Sequence, residues 1–481
     1  MTRLSRSSSP LHRRRTAALL SVAIGSLALA GCARPDIAPP EAGIAVPQGW
    51  VETDQVHASQ DLSQYWQLLN DPLLTQFVEA AAANNLDLAQ SAARLEQARA
   101  QLAGSQSGYF PYVSASGSGR RNFNDGLPDT SAYSIGADAS WELDLFGRIG
   151  ADVAASEAEL AAAGYSLADL ERLVTGQVAL ATISARATAM QLAIARDSLQ
   201  SQDDNLQIAR WRAQAGLVSS LDVEQARSQR AATAASIPQL ESSLASTANA
   251  ISTLIGEPPG RVLQLLESSD FVPTPPELGG FEAPAEVLRR RPDVRQAEAS
   301  LVASTARIEG AKAQLYPLIQ LGGTISSSAI GFGNLFDLVS GGLFGSVSQL
   351  IFDGGRTQSQ IDSSKAAAQG ALAAWRLSIL GALEDVESSA VDLQKSRERV
   401  VIFGEAVDAA NNSAILARSQ YQAGLTDFQN LLTSELQLRT ARNAEVASQA
   451  DRASAFVRLT QALGGGWSPR EYPLPVSDRI Q

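Results

Sequence analysis

A mainly α-helical chain with an internal structural duplication, contributing strands to a small membrane β-barrel, is the fold class that the sequence predicts. Three observations predict it. Two stretches, Arg148 to Gly216 and Arg356 to Gly424, contain no proline and are well supplied with alanine, the best helix former. Short segments ahead of each stretch alternate apolar and polar residues with the period of a strand. A shift of about two hundred residues lays one half of the chain over the other, too long a period for a solenoid repeat of 20 to 50 residues.

At the N-terminus, Arg3, Arg6, Arg13, Arg14 and Arg15 precede an apolar run from Ala17 to Ala30 that ends in Leu29-Ala30-Gly31-Cys32. This is the pattern of a signal peptide, residues 1–31, closed by a lipobox. The run falls short of the roughly 20 residues that span a hydrocarbon core of about 30 Å. Cys32 is then the first mature residue and carries lipid on its sulfur and its amino group, the two anchors that stable attachment requires. It is the only cysteine, so no intrachain disulfide can form. Ala33 follows where an aspartate would suggest retention at the inner membrane, which favours the outer membrane. Residues 32–84 are expected to form a lipidated N-terminal segment and part of an equatorial region.

Without the signal arginines the chain has 33 basic residues against 50 acidic, a net charge of about −17 that repels nucleic acid. Aromatics are only 6% of the residues, and alanine fills stretches such as Ala151 to Ala163. Long helices in close approach fit this composition better than a compact globule.

The duplication brings Asn85-Leu86-Asp87-Leu88 over Arg291-Pro292-Asp293-Val294, and Tyr109-Phe110-Pro111 over Leu315-Tyr316-Pro317. It then brings Gln214-Ala215-Gly216-Leu217 over Gln422-Ala423-Gly424-Leu425 and Leu254-Ile255-Gly256 over Ala462-Leu463-Gly464. Residues 85–256 and 291–464 are therefore read as two repeats, 257–290 as a proline-rich equatorial linker, and 465–481 as a C-terminal tail. In each repeat a helix ends before Pro111 or Pro317. Strands follow. Tyr133, Ile135, Ala137, Ala139, Trp141 and Leu143 alternate with polar or small neighbours, as do Ile319, Leu321 and Ile325; Tyr112 to Arg120 is mostly small and polar, and Leu343 to Phe352 alternates less cleanly. Four strands cannot close a barrel, for which eight is about the minimum, so the barrel must be shared between chains.

Each proline-free stretch could reach roughly 100 Å as helix. Gly216 and Gly424 suit the left-handed conformation that ends a helix. The next helix is expected to start at once, capped by Ser219 or Ser220 in the first repeat and by a Thr426-Asp427-Phe428-Gln429 capping box in the second. Pro238 is expected to break the first return helix, where the second repeat has Val446.

Tyr65-Trp66-Gln67-Leu68-Leu69-Asn70-Asp71-Pro72-Leu73, Trp141-Glu142-Leu143-Asp144-Leu145-Phe146-Gly147-Arg148 and Arg289-Arg290-Arg291-Pro292-Asp293-Val294 resemble signatures of the NodT branch of TolC-like outer membrane factors. Ile237-Pro238-Gln239-Leu240-Glu241 and Leu254-Ile255-Gly256-Glu257-Pro258-Pro259-Gly260 resemble the same branch, and the motifs fall in the family's order along nearly the whole mature chain. The resemblance implies a homotrimer with four strands per chain in one twelve-stranded barrel, continued by a long α-helical periplasmic tunnel. It implies an exit duct of a tripartite efflux pump, with a periplasmic adaptor protein and an inner-membrane transporter as partners and no nucleic acid. Small molecules are the expected cargo; type I protein secretion, or a non-conducting structural lipoprotein, are the alternatives.

On the matching positions, the adaptor-docking tips are Gly216, Leu217, Val218, Ser219, Gly424, Leu425 and Thr426. The family's gate aspartates fall on Asn430 and Thr433, with Asp222 and Asp427 nearby as possible substitutes. Leu431 and Leu432 would supply packing at the closed mouth. The arginines 289–291 are expected to make structural ion pairs. The Trp141–Arg148 motif is read as the turn from strand to helix, and the glycine-rich segments Asn122 to Thr130 and 331–333 as outward-facing loops. An enzyme is not expected. His12 leaves with the signal peptide, and His57 stands alone without histidine or cysteine neighbours, so neither a zinc site nor a histidine-based triad can be assembled. The carboxylate pair Glu384-Asp385 belongs to a charged helix face. No metal site and no cofactor other than the covalent lipid on Cys32 is expected.

Overall fold

A computed structural model describes residues 41–50, 61–123, 125–126, 128–267, 271–277 and 284–468. Cys32, His57 and most of the expected C-terminal tail lie outside the described residues. A 3-10 turn, Tyr65–Leu69, leads through Asn70 in the left-handed conformation (φ 51°) to α1, Pro72–Asn84. Asp71 caps α1, accepting from the Leu73 and Leu74 amides at 3.0 and 3.2 Å, and Pro72 occupies the first helical position where its missing N–H costs nothing. Helix α2, Leu86–Ser107, is capped by Asn85, whose amide nitrogen also donates to the Leu254 carbonyl at 2.8 Å.

Strands β1, Tyr112–Asn122, and β2, Thr130–Leu143, follow. Helix α3, Arg148–Gln214, has 67 residues and α4, Ser220–Leu254, has 35. Two short helices, α5 (Arg261–Glu267) and α6 (Pro284–Arg290), occupy the linker. The second repeat then gives α7, Pro292–Ala313; β3, Leu318–Ala329; β4, Val339–Ser348; α8, Arg356–Gln422, again of 67 residues; and α9, Phe428–Ala462, again of 35. The duplication is thus carried down to the length of the helices.

The strands form one antiparallel meander in the order β1-β2-β3-β4. The fourth strand differs from expectation: it covers Val339–Ser348, and Leu350, Ile351 and Phe352 lie beyond it in the approach to α8. Gly341, Gly342 and Gly345 blur the alternation within the real strand, while the apolar run after it imitates one.

Helix α4 also departs from expectation, running unbroken through Pro238. Proline removes one helical hydrogen bond and leaves the Ala234 carbonyl without its usual partner. Pro238 is exposed, so water can serve that carbonyl, and burial of Thr233, Leu244, Ala248 and Ile251 on either side holds the helix on its course. Val446 at the matching point of α9 is buried instead.

The main apolar core sits partway along the long helices, at an equator. There Tyr65, Leu69, Leu74 and Phe77 pack against Val178 and Ile183 of α3, Ile251 of α4, Val262 and Leu266 of α5, and Phe456 of α9. Elsewhere α3 buries mostly alanine, including Ala151, Ala155, Ala158, Ala161 and Ala168, which lets α7 and α2 lie close against it. Gly256 (φ 70°) belongs to this close packing: a Cβ there would lie 2.6 Å from the Asn84 carbonyl oxygen.

Candidate functional site

The sheet has two unlike faces. The register aligns Val113, Ala139, Gly323 and Leu343 across the four strands, and in the next row but one Ala115, Ala137, Ile325 and Gly341. Trp141, Leu143, Ile319, Leu321 and Val347 continue this apolar face. The alternate rows are polar: Ser114, Asp138, Thr324 and Gly342 form one, and Ser116, Gly136, Ser326 and Ser340 the next. Apolar on one side and hydroxyl-lined on the other is the pattern of a membrane barrel wall.

At the base of the wall the chain turns from strand to helix, and the Trp141–Arg148 motif makes that turn. The Trp141 indole N–H donates to the Tyr109 carbonyl at 2.9 Å, fastening β2 to the end of α2. Glu142 takes both arms of Arg148 at 2.7 and 2.5 Å. Asp144 accepts from the Gly150 amide at 2.7 Å, satisfying one of the donors that a helix start leaves open. Gly147 supplies the left-handed step into α3 (φ 75°), and Gly355 (φ 88°) does so for α8. In the second repeat Asp353 takes over the capping, accepting from the Gly355 and Thr357 amides at 3.0 and 2.8 Å and from the Thr357 hydroxyl at 2.6 Å. Hydrogen bonds from Thr357 hold this half-buried carboxyl below its ordinary range. Phe146 and Tyr316, one from each repeat, stack at 5.2 Å across the junction.

Farther along, the arginine run does form ion pairs. Arg291 is buried and reaches both oxygens of Asp293 at 3.0 and 2.7 Å, Asp385 at 2.9 Å and the Ala462 carbonyl at 3.1 Å. Arg290 donates to the Leu463 carbonyl, and Arg289 pairs with Glu286 at 2.9 Å. The run therefore ties α6 and α7 to the end of α9 and, through Asp385, to α8. Burial pushes the Asp293 carboxyl up, but the hydrogen bond and charge of Arg291 outweigh it and hold the group below its ordinary value.

The far ends of the long helices are tight turns. Gly216 (φ 71°) and Gly424 (φ 75°) end α3 and α8 in the left-handed conformation, and Leu217 and Leu425 beside them are 68% and 80% exposed. Val218 is half-buried and Ser219, at the N-cap of α4, makes no capping bond; its hydroxyl lies 3.4 Å from Asp222. In the second tip the cap sits one residue later than expected. Asp427, not Thr426, caps α9, accepting from the Asn430 amide at 2.9 Å, because a carboxylate at a helix N-terminus also gains from the helix dipole. Thr426 receives the Asn430 side-chain amide at 3.0 Å, and the Thr433 hydroxyl donates back to the Gln429 carbonyl at 2.8 Å. Both polar gate candidates therefore bond within their own hairpin, while Leu431 is buried in a small tip core with Leu206, Ala226, Tyr421 and Phe428.

A family model for "outer membrane efflux protein" matches residues 77–257 and 283–465, one match on each repeat. The chain belongs to the outer membrane efflux protein family. Within it, the chain is 30% identical over 455 residues to nodulation protein T of Rhizobium leguminosarum bv. trifolii, covering 92% of this chain and 96% of the relative. It is also 30% identical over 473 residues to the pyoverdine export outer membrane protein OpmQ of Pseudomonas aeruginosa, covering 95% and 99%. Among solved structures, the outer-membrane channel OprN is 31% identical and superposes with a TM-score of 0.80 over 90% of this chain and 100% of that one. The Campylobacter jejuni CmeC channel, at 20% identity, shares the fold with a TM-score of 0.82. The two-faced sheet is thus the membrane wall of an outer-membrane efflux duct of TolC-like architecture, and the long helices are its tunnel.

One pair in the family's tip region was not legible in the sequence. Arg212, near the end of α3, lies 4.6 Å over the Tyr421 ring and donates to the Tyr421 carbonyl, joining the two hairpins of one chain. The matching positions of the other repeat are Gln420 and Ala213, so a departure from the duplication was the only sign.

Proposed function

We propose that three copies of this chain close one twelve-stranded barrel and act as the exit duct of a tripartite pump for small molecules, anchored by lipid at Cys32. The observation that carries the reading is the sheet itself. Its two outer strands, β1 and β4, pair with one neighbour each, and an open sheet edge cannot sit in hydrocarbon because its N–H and C=O groups find no partners there. Closing on copies of itself satisfies both edges and turns the serine-rich face inward to water. Helix α8 supports the same assembly. It leaves Leu377, Leu380, Val401, Ile402, Ile415 and Leu416 exposed, an apolar surface suited to a neighbouring chain.

The lipid is compatible with this placement. The segment at Ala42, Ile44 and Val46 packs on α8 around Trp375 and Ile379, and Arg376 donates to the Ala42 carbonyl at 2.7 Å. Arg376 lies about 20 residues along α8, roughly 30 Å from the barrel base. The ten or so residues from Cys32 to Ala42 span about 33 Å when extended, enough to bring the lipid to the membrane.

The tips carrying Gly216, Leu217, Val218, Ser219, Gly424, Leu425 and Thr426 would meet a periplasmic adaptor, and through it an inner-membrane transporter. Asn430 and Thr433, flanked by Asp222 and Asp427, would narrow the periplasmic mouth. Relatives named for pyoverdine export and toluene efflux favour small-molecule cargo over protein secretion. Mass measurement of the detergent-extracted protein tests the assembly: three chains are expected, with conductance across a planar bilayer. A monodisperse monomer with a barrel-type spectrum would refute it.

A further inference from the structure

The water-facing side of the barrel wall is nearly free of charge. Ser114, Ser116, Ser134, Ser140, Thr324 and Ser326 typify it. Among the described residues of the four strands, only Arg120, Asp138 and Glu142 bring charge to this face. Glu142 is spent on Arg148 at the base. Asp138 and Arg120 are both exposed, and neither forms an ion pair among the described residues. The register sets Asp138 beside Ser114 and Thr324, well inside the wall, and Arg120 opposite Ala132, near the hairpin end farthest from the helices. Six residues of β2 separate the two levels, roughly 20 Å of strand. That exceeds two Debye lengths of about 8 Å at physiological salt, so each charge governs its own level.

One row closer to the helices than Asp138, Phe344 stands on the same face opposite Gly322. A Cβ on Gly322 would lie 2.2 Å from the Phe344 ring, so the ring leans across β3 into space that only glycine leaves open. An aromatic face beside a carboxylate is a surface for organic cations, the ring taking the apolar part and attracting the charge.

We propose that Asp138 is a specificity-determining residue of the duct. Three copies ring the lumen within the barrel and favour cations over anions, organic cations above all because Phe344 lies beside the ring. Arg120 reverses that preference at the far rim. This rests on the trimeric-barrel reading.

Ser114→Cys, on the row of Asp138, and Asn122→Cys, two residues beyond Arg120 on the same face, would be treated from outside with small thiosulfonate reagents bearing one positive or one negative charge. Modification is followed by mass, with the parent chain as the control for Cys32. Ser116→Cys, one row away from Ser114, replaces the first variant if that fails to assemble. At Ser114→Cys the cationic reagent is expected to react faster, and adding Asp138→Asn to cut the cation-to-anion rate ratio about threefold. That is the size expected for one unit charge some 6 Å away in salt water, counted once for each reagent. At Asn122→Cys the preference should invert, and Arg120→Gln should remove the inversion. A ratio at Ser114→Cys that Asp138→Asn leaves unchanged, with both reagents reacting, overturns the charge ring and leaves the barrel standing. Failure of both reagents to reach Ser114→Cys or Ser116→Cys in an intact trimer overturns the barrel reading and the ring together.

Discussion

Replacing Arg186 by methionine should loosen the equator far more than loss of a surface charge would. Arg186 on α3 grips both oxygens of Asp71 at 2.7 and 2.6 Å, and the two side chains are 7% and 0% exposed. Asp71 is also the cap of α1, and the guanidinium lies 4.4 Å over the Phe271 ring. An exposed pair contributes about 0.2–1 kcal/mol, but removing one member of a buried pair strands the other and costs about 3–5 kcal/mol. If α1 exchanges its amide hydrogens by local opening, a loss of that size speeds exchange roughly a hundredfold to several thousandfold, at tenfold per 1.4 kcal/mol. Hydrogen-exchange mass spectrometry on peptides covering Pro72–Asn84 in the detergent-solubilised protein reads this directly. The double variant Asp71→Asn, Arg186→Met should recover much of the protection, because it leaves no buried charge without a partner. Acceleration below about threefold in Arg186→Met would show that water already reaches Asp71 and that the pair does not hold α1.

Cys32→Ser should abolish acyl labelling and impair envelope assembly; labelling equal to the parent's would rule out the lipobox. Leu217→Glu or Leu425→Glu should abolish efflux while leaving trimer and membrane insertion intact, and full efflux would count against docking at the tips. Asn430→Asp should introduce block by divalent cations from the periplasmic side, where the parent duct is expected to be insensitive; strong block of the parent, relieved by Asp427→Asn or Asp222→Asn, would assign the mouth to those carboxylates. Asp293→Asn should lower thermal stability at neutral pH. Because the folded Asp293 carboxyl lies below its ordinary 3.8, its contribution is present above about pH 4 and disappears as pH falls through the folded value. The gap between parent and variant should therefore close on acidification, and a gap constant down to about pH 2 would contradict the Arg291 linkage.

The parts of the fold that local chemistry dictates were legible. Glycine ended α3 and α8 where the left-handed conformation is needed, and proline-free, alanine-bearing sequence filled the helices between. Strand β2 declared itself because Tyr133 to Leu143 alternate along most of its length. The failures have physical causes too. Glycines carry no face, so the bounds of β4 were drawn too late. Pro238 lost to the packing around it, since a helix with buried contacts on both sides can bear one missing hydrogen bond. At the second tip, aspartate outcompeted threonine for the cap. The Arg212 contact with Tyr421 joins residues more than two hundred positions apart, and no period reports such a pair. At the candidate site the motifs showed where the barrel base would be, but which strand residues share a row with Asp138 depended on a register that only the paired strands define.

The matched helices, 67 and 67 residues, 35 and 35, put a restriction on how such a duct can change in length. Deleting one residue from α8 would draw its tip back by about 1.5 Å and swing every side chain beyond the deletion by roughly 100° around the helix axis. The buried face would turn outward. Changes of about seven or about eleven residues return the faces nearly to register, and the smaller of them moves the tip by about 10 Å. The return helix must change by the same amount for the hairpin to stay closed, and the other hairpin must follow for the two tips to stay level. Reach across the periplasm is therefore quantised: it is altered in four helices at once, in steps of two or three whole turns, or not at all.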